Sequence, residues 1–145
     1  MLMDATNSIL TQIDSAFQKS SGVTTDTRMA EQGKLFFALK GERFDGNEFA
    51  LQALNAGCIL AIVDDPIIAG QSDLCLEVPD VLIALQSLAH LHRSRWKFPV
   101  IGLTGSNGKT TTKELLLAVL QTTFSKTFAT RGNLNNHIGV PLTLL

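Results

Sequence analysis

Thr104-Gly105-Ser106-Asn107-Gly108-Lys109-Thr110-Thr111 is the segment of this sequence whose residue types and spacing point most directly to chemistry. Gly105 and Gly108 let the backbone turn its N–H groups toward an anion, with Ser106 and Asn107 between them. Lys109 reaches the β- and γ-phosphates of a nucleotide, and the Thr110 hydroxyl, with Thr111 beside it, is suited to Mg²⁺. The segment lies between an apolar stretch, Val100-Ile101-Gly102-Leu103, and an amphipathic one at 110–121, so it is expected to join a strand to a helix. That helix would add its positive N-terminus to the phosphate site. The general phosphate-loop pattern has a glycine six positions before the lysine, where Leu103 stands; the available glycine, Gly102, is one residue earlier. ATP or a related nucleotide is the expected ligand, and the bland alternative is a tight turn with a solvated lysine.

A second polar segment, Arg131-Gly132-Asn133-Leu134-Asn135-Asn136-His137-Ile138-Gly139-Val140-Pro141, follows a short strand predicted near 126–129. In an open parallel sheet it would lie at the same edge as the first loop, where ligands bind. Its asparagines could orient a polar substrate or a metal-bound water, or cap the helix expected around 138–145. The residues alone leave both readings open. His90 and His92 stand two apart on a predicted helix and face different ways, so they cannot share a metal; both are read as packing or surface residues. His137 is read as a turn residue with a lesser claim to ligand contact. Asp64-Asp65 precede Pro66 and are read as a solvated turn. Cys58 and Cys75 have no partner motif and are read as reduced, packed thiols.

The elements that position these residues read as alternating strands and helices. Ile9, Leu10, Ile13 and Phe17 follow Thr6-Asn7 at helical spacing, and Gly22 stops that helix. Leu35-Phe36-Phe37-Ala38-Leu39, between Gly33 and Gly41, is a buried strand; a helix is predicted over 47–56, ended by Gly57. Cys58-Ile59-Leu60-Ala61-Ile62-Val63 is a second buried strand. Pro79-Asp80 opens a longer helix carrying Leu82, Leu85, Leu88, Ala89, His92 and Trp96, with Arg93, Arg95 and Lys97 at its cationic end before Pro99. A domain boundary is placed near 97–99. Residues 98–145 then hold too few elements to cover a parallel sheet, so that unit reads as unfinished.

At 145 residues the chain is one domain, or one and part of another. Twelve basic against thirteen acidic residues leave a formal charge of -1, so its overall field gives no reason to expect nucleic acid or an anionic membrane as partner. With 45% hydrophobic and 17% charged residues the chain can build a core. Its longest apolar runs, 58–63 and 115–120, fall far short of the ~18 residues a membrane-spanning helix needs. Asp4 and Thr6-Asn7-Ser8 do not form a secretory leader, and the expected location is cytoplasmic.

Gly102 to Thr112, with its Leu-Thr-Gly-Ser-Asn-Gly-Lys-Thr-Thr core, resembles the ATP loop of the Mur ligases, which departs from the general pattern in the same way. Thr130-x-Gly-Asn-x-Asn-Asn-x-Ile-Gly-Val-Pro-Leu-Thr-Leu-Leu145 is similar to the stretch that follows the loop's helix in this family. Its Asn-Asn form is that of the branch adding D-alanyl-D-alanine, where the diaminopimelate- or lysine-adding branch has a Thr-rich version. Gly22-Val-Thr-Thr-Asp-Thr-Arg28 and Gly33-Lys-Leu-Phe-Phe-Ala-Leu-Lys-Gly-Glu-Arg-Phe-Asp-Gly46 resemble the family's uridine-nucleotide-binding domain.

The resemblance implies an α/β fold, with a small N-terminal uridine-nucleotide-binding domain at 1–97 and the first part of a Rossmann-like P-loop domain for ATP at 98–145. It implies an ATP- and Mg²⁺-dependent amide ligase of peptidoglycan precursor synthesis. D-alanyl-D-alanine would be joined to UDP-N-acetylmuramoyl tripeptide through an acyl phosphate. Lys109 and Thr110 would be catalytic, Gly105, Ser106, Asn107, Gly108, Lys109, Thr110 and Thr111 would bind the nucleotide, and Thr110 would hold the metal. Thr27, Arg28, Glu42, Arg43, Phe44, Asn135 and Asn136 would bind substrate. Read without the resemblance, Asp26 with Arg28 could be a turn ion pair and Phe44 a core residue. In the family further catalytic parts lie beyond position 145, so a C-terminal remainder of the same protein is an expected partner and no turnover is expected of this stretch by itself. A sister ligase adding one amino acid and a non-catalytic UDP-sugar or ATP module are the alternatives.

Overall fold

A computed structural model describes residues 2–132 and 134–145, with side-chain surroundings from Ser8 onward. Asn133 and the side chains of Thr6 and Asn7, all named above, lie outside the described part.

Four strands form one parallel sheet in the order β1 (Val23–Thr24), β2 (Leu35–Phe37), β5 (Leu60–Val63) and β6 (Cys75–Glu77). Its register pairs Val23 with Leu35, Leu35 with Leu60 and Ala61 with Cys75. Both faces are covered, which is why the central strands read as unbroken apolar runs. Alternation sends Leu35, Phe37 and Ile62 into one core with Ile13, Phe17, Leu85 and Leu88, and sends Phe36, Ala61 and Val63 into the other with Ala50, Ala53 and Cys58. The first face takes the long helices α1 (Leu2–Phe17) and α4 (Val81–Ser94). The second is lined by alanines, and the short helices α2 (Ala50–Asn55) and α3 (Pro66–Ala69) pack there.

Local chemistry sets the element ends. Asp80 accepts from the Ile83 N–H at 2.8 Å to open α4, and Asp65 accepts from the Ile67 N–H at 2.8 Å to open α3, with Pro66 in the first helical turn. Arg95, just past α4, forks onto Asp14 of α1 at 2.7 and 2.8 Å and locks the two helices together. The Arg95 hydrogen bond holds the Asp14 carboxyl below its ordinary range. Cys58 and Cys75 are free and buried, as expected, and burial raises both thiols.

Several expectations need correction. The α1 helix begins at Leu2, ahead of the polar Thr6-Asn7 pair expected to precede it, and α4 stops at Ser94, before Trp96. The strand expected at 100–103 is absent: the segment is irregular, with Val100, Ile101 and Leu103 each at least 40% exposed. The strand expected near 126–129 is absent as well. A strand exists only by pairing, and the described residues offer these two segments no pairing partner. Beyond them, α5 (Lys109–Gln121) buries no residue, whereas α6 (Gly139–Leu144) packs Leu142 and neighbouring Ile138 against the α1/α4 core.

No helix among the described residues is long and apolar enough to cross a membrane.

Candidate nucleotide sites

The glycine-rich loop keeps its expected setting at the start of a helix. Gly108 is the N-cap residue of α5 at φ +77°, a left-handed conformation that glycine adopts without penalty. Gly105 also has positive φ, at +145°. Gly108 brings no side chain to cap the helix, so the first-turn N–H groups at Lys109 to Thr111 keep no protein acceptor among the described residues. Thr110 and Thr111 are exposed, and the Lys109 ammonium donates back to the Gly105 carbonyl, spanning the loop. A cation and free amides around a turn with no side chain filling it fit a nucleotide's phosphates, and the open Thr110 hydroxyl fits Mg²⁺.

Lys113, one turn into α5, was passed over in the sequence because nothing in its spacing marks it. Its ammonium donates to the carbonyls of Thr130 at 2.6 Å and Gly132 at 3.3 Å, so it ties the loop's helix to the asparagine segment. Within that segment Asn135 is exposed. The Asn136 Oδ1 accepts from the N–H groups of Ile138 at 3.2 Å and Gly139 at 2.7 Å, which is the capping alternative; its amide NH₂ remains available. The His137 carbonyl accepts from Gln86 of α4 at 3.0 Å.

The N-terminal candidates gather at the carboxyl edge of the parallel sheet. Thr27 and Arg28 lie in a 3₁₀ turn (Thr27–Met29) after β1, and Glu42, Arg43 and Phe44 lie in an antiparallel hairpin of β3 (Lys40–Gly41) and β4 (Phe44–Asp45) after the adjacent β2. Parallel strands end on one side, so both groups occupy the edge where α/β sheets bind ligands. Arg28 donates to both Asp26 oxygens, at 2.6 Å at the shortest, and is 87% exposed; this is the turn ion pair, and the Arg28 hydrogen bond lowers the Asp26 pKa. Phe44 is no core residue: it is 57% exposed, and its ring lies over Gly41, where any side chain would collide with it.

Asp64 is likewise not a solvated turn residue. Its Oδ1 accepts from the Lys40 ammonium at 2.9 Å and from the Asn47 Nδ2 at 2.7 Å. Burial acts to raise its pKa, but these bonds outweigh it and hold the group below the ordinary 3.8. Asn47 and Lys40 were also missed; the clue was that Lys40 and Asp64 each directly follow a buried apolar run. His90 is exposed, and His92 packs its ring edge-on against Phe17 and Trp96. Among the described residues no His/Cys/Asp/Glu cluster could hold a metal.

Comparison with known proteins decides the family. The model of the Mur ligase family catalytic domain matches residues 19–93, half of the chain, and that of the Mur ligase middle domain matches residues 103–145. The chain belongs to the Mur ligase family. Among Mur ligases it is 49% identical over 126 residues to the UDP-N-acetylmuramoyl-tripeptide–D-alanyl-D-alanine ligase of Synechocystis, covering 86% of this chain and 28% of that one. It is 46% identical over 123 residues to the Escherichia coli ligase of the same name, covering 85% and 26%. The crystal structure of MurF from Acinetobacter baumannii superposes with a TM-score of 0.77 at 41% identity, covering 93% of this chain and 32% of that one. MurF from Thermotoga maritima, solved in complex with ADP, gives 0.76 at 32%, covering 89% and 29%. The chain thus spans under a third of the length of these Mur ligases.

Proposed function

We propose that this chain is the N-terminal part of the Mur ligase that joins D-alanyl-D-alanine to UDP-N-acetylmuramoyl tripeptide in the cytoplasm. Residues 1–97 bind the uridine nucleotide and 98–145 begin the ATP-binding domain; the remaining catalytic groups belong to a longer protein. The observation that carries the reading is the uncapped start of α5, with Gly108 left-handed, Lys109 folded over the loop and Lys113 drawing in the Asn135-Asn136 segment. The identity to ligases of that name supports the choice of acceptor over a single amino acid.

A carboxylate is a poor electrophile; bound ATP with Mg²⁺ supplies the phosphoryl group that converts it to an acyl phosphate. The chain's own residues then bind and orient. The amides from Ser106 to Lys109 hold phosphate oxygens, the Lys109 ammonium leaves the Gly105 carbonyl to neutralise charge on the outer phosphates, and Thr110 is the metal ligand. Thr27, Arg28, Glu42, Arg43 and Phe44 hold the uridine diphosphate: a guanidinium on the pyrophosphate, an aromatic face on the base. Asn135 and the free NH₂ of Asn136 would bind the tripeptide near its terminal carboxylate.

Calorimetry of this chain with UDP-N-acetylmuramoyl tripeptide, and separately with a non-hydrolysable ATP analogue, tests the reading. Binding of the tripeptide nucleotide in preference to UDP-N-acetylglucosamine supports it; equal affinity for both would favour a general UDP-sugar module.

A further inference from the structure

We propose that Asn47 and Asp64 are positioning residues that set the hairpin of β3 and β4 over the sheet edge, so that Arg43 and Phe44 are presented to a uridine diphosphate. The proposal rests on the uridine-nucleotide reading of that hairpin. A two-stranded ribbon of four paired residues cannot hold its own orientation, and its tip has nothing beneath it: Glu42, Arg43 and Phe44 are all exposed. What anchors it is polar. Asn47 is only 2% exposed, and every hydrogen-bonding group of its side chain is used. Its Nδ2 donates to Asp45 of the hairpin at 2.8 Å and to Asp64 of the β5 end at 2.7 Å, and its Oδ1 accepts the Asp64 N–H at 3.1 Å. Lys40 closes the circuit from the other strand of the hairpin, 2.9 Å from Asp64 and 3.8 Å from Asp45. The network therefore fastens both strands of the hairpin to the rigid sheet.

It also sorts the charges. Lys40 is held by Asp64, and Arg28 shares its charge with Asp26 in an exposed pair. Arg43 has no acidic partner among the described residues, so its whole charge is available to a diphosphate. A buried amide whose partners are two carboxylates is a fixed point: removing it strips Asp45 and Asp64 of a hydrogen bond each and leaves Lys40 alone to hold them together.

The test follows backbone amide exchange over residues 40–47 and UDP affinity in the full 145-residue chain, comparing Asn47→Ala and the milder Asp64→Asn with the unsubstituted protein. For Asn47→Ala the hairpin amides should exchange about tenfold faster and UDP should bind about tenfold more weakly, with Phe36 and Ile62 keeping their protection. Asp64→Asn should do the same to a lesser degree. In the unsubstituted chain, with Lys40, Asp45 and Asp65 around Asp64, hairpin protection should fall as pH drops below the ordinary aspartate value, and Asp64→Asn should lose that step. Unchanged hairpin exchange in both variants, or equal loss at Phe36 and Ile62, would overturn the proposal. If Asn47→Ala does not fold, Asp64→Asn and its pH step decide. Absence of UDP binding by the unsubstituted chain would sink the uridine reading instead, and the positioning of the hairpin would then be judged on exchange alone.

Discussion

Lys109 donates to a carbonyl of its own loop, and that bond defines what the loop does without ligand. The ammonium is held above the turn by a neutral acceptor that an anionic phosphate outcompetes, since the phosphate adds ion–ion attraction that a carbonyl does not offer. Lys109→Ala should therefore weaken binding of an ATP analogue by roughly tenfold to a hundredfold and leave UDP affinity within twofold, measured by calorimetry on the same sample. Asn136 calls for a different expectation. Its Oδ1 caps the start of α6, so Asn136→Ala should cost about 0.5–2 kcal/mol of stability and fray residues 138–140 in hydrogen exchange, whether or not ligand is present. The glycine-rich loop was legible because its letters have few structural uses; Asn136 was ambiguous because a carboxamide suits a cap and a ligand equally well.

At the scale of elements, the helices on the larger face of the sheet carry the N-terminal fold. Leu88 is fully buried between α4 and the sheet, and Leu88→Ala should cost about 2–5 kcal/mol in a denaturant titration. The Asp14–Arg95 pair joins α1 to the end of α4. Because the folded Asp14 pKa is lowered, the pair's contribution is complete above the unfolded value near 3.8 and is lost as pH falls through the folded one. Arg95→Ala should thus lower Tm at pH 7 and matter progressively less as pH falls below 3.8, with the difference shrinking in high salt. The strands β2 and β5 could be read from sequence since each is an apolar run bounded by glycine or aspartate. The strands β1 and β6 and the hairpin, at two or three residues each, are shorter than any periodic pattern. The segment 100–103 has a strand's composition but lacks a strand's neighbours, and pairing, unlike composition, is not a local property.

Over the whole molecule the two parts differ in what they cover. The N-terminal sheet is closed on both faces, whereas Ile101, Leu115, Val119, Phe124 and Phe128 stand at least 57% exposed. Exposed apolar area on that scale binds hydrophobic dye and promotes self-association. The chain should enhance dye fluorescence, and Leu115→Glu with Val119→Glu should reduce the signal without lowering the stability of the N-terminal sheet. Trp96, stacked on Phe98 and edge-on to Phe128 and His92, is the natural fluorophore for following residues 98–128.

Two separate nucleotide sites are proposed, one toward each end of the described residues, and a single titration series tests them together. Calorimetry with UDP-N-acetylmuramoyl tripeptide and with an ATP analogue, each in the absence and presence of the other, should give one site apiece. Lys109→Ala should weaken only the second, and Arg43→Ala only the first. Competition between the two ligands, or loss of both sites from either substitution, would contradict the account.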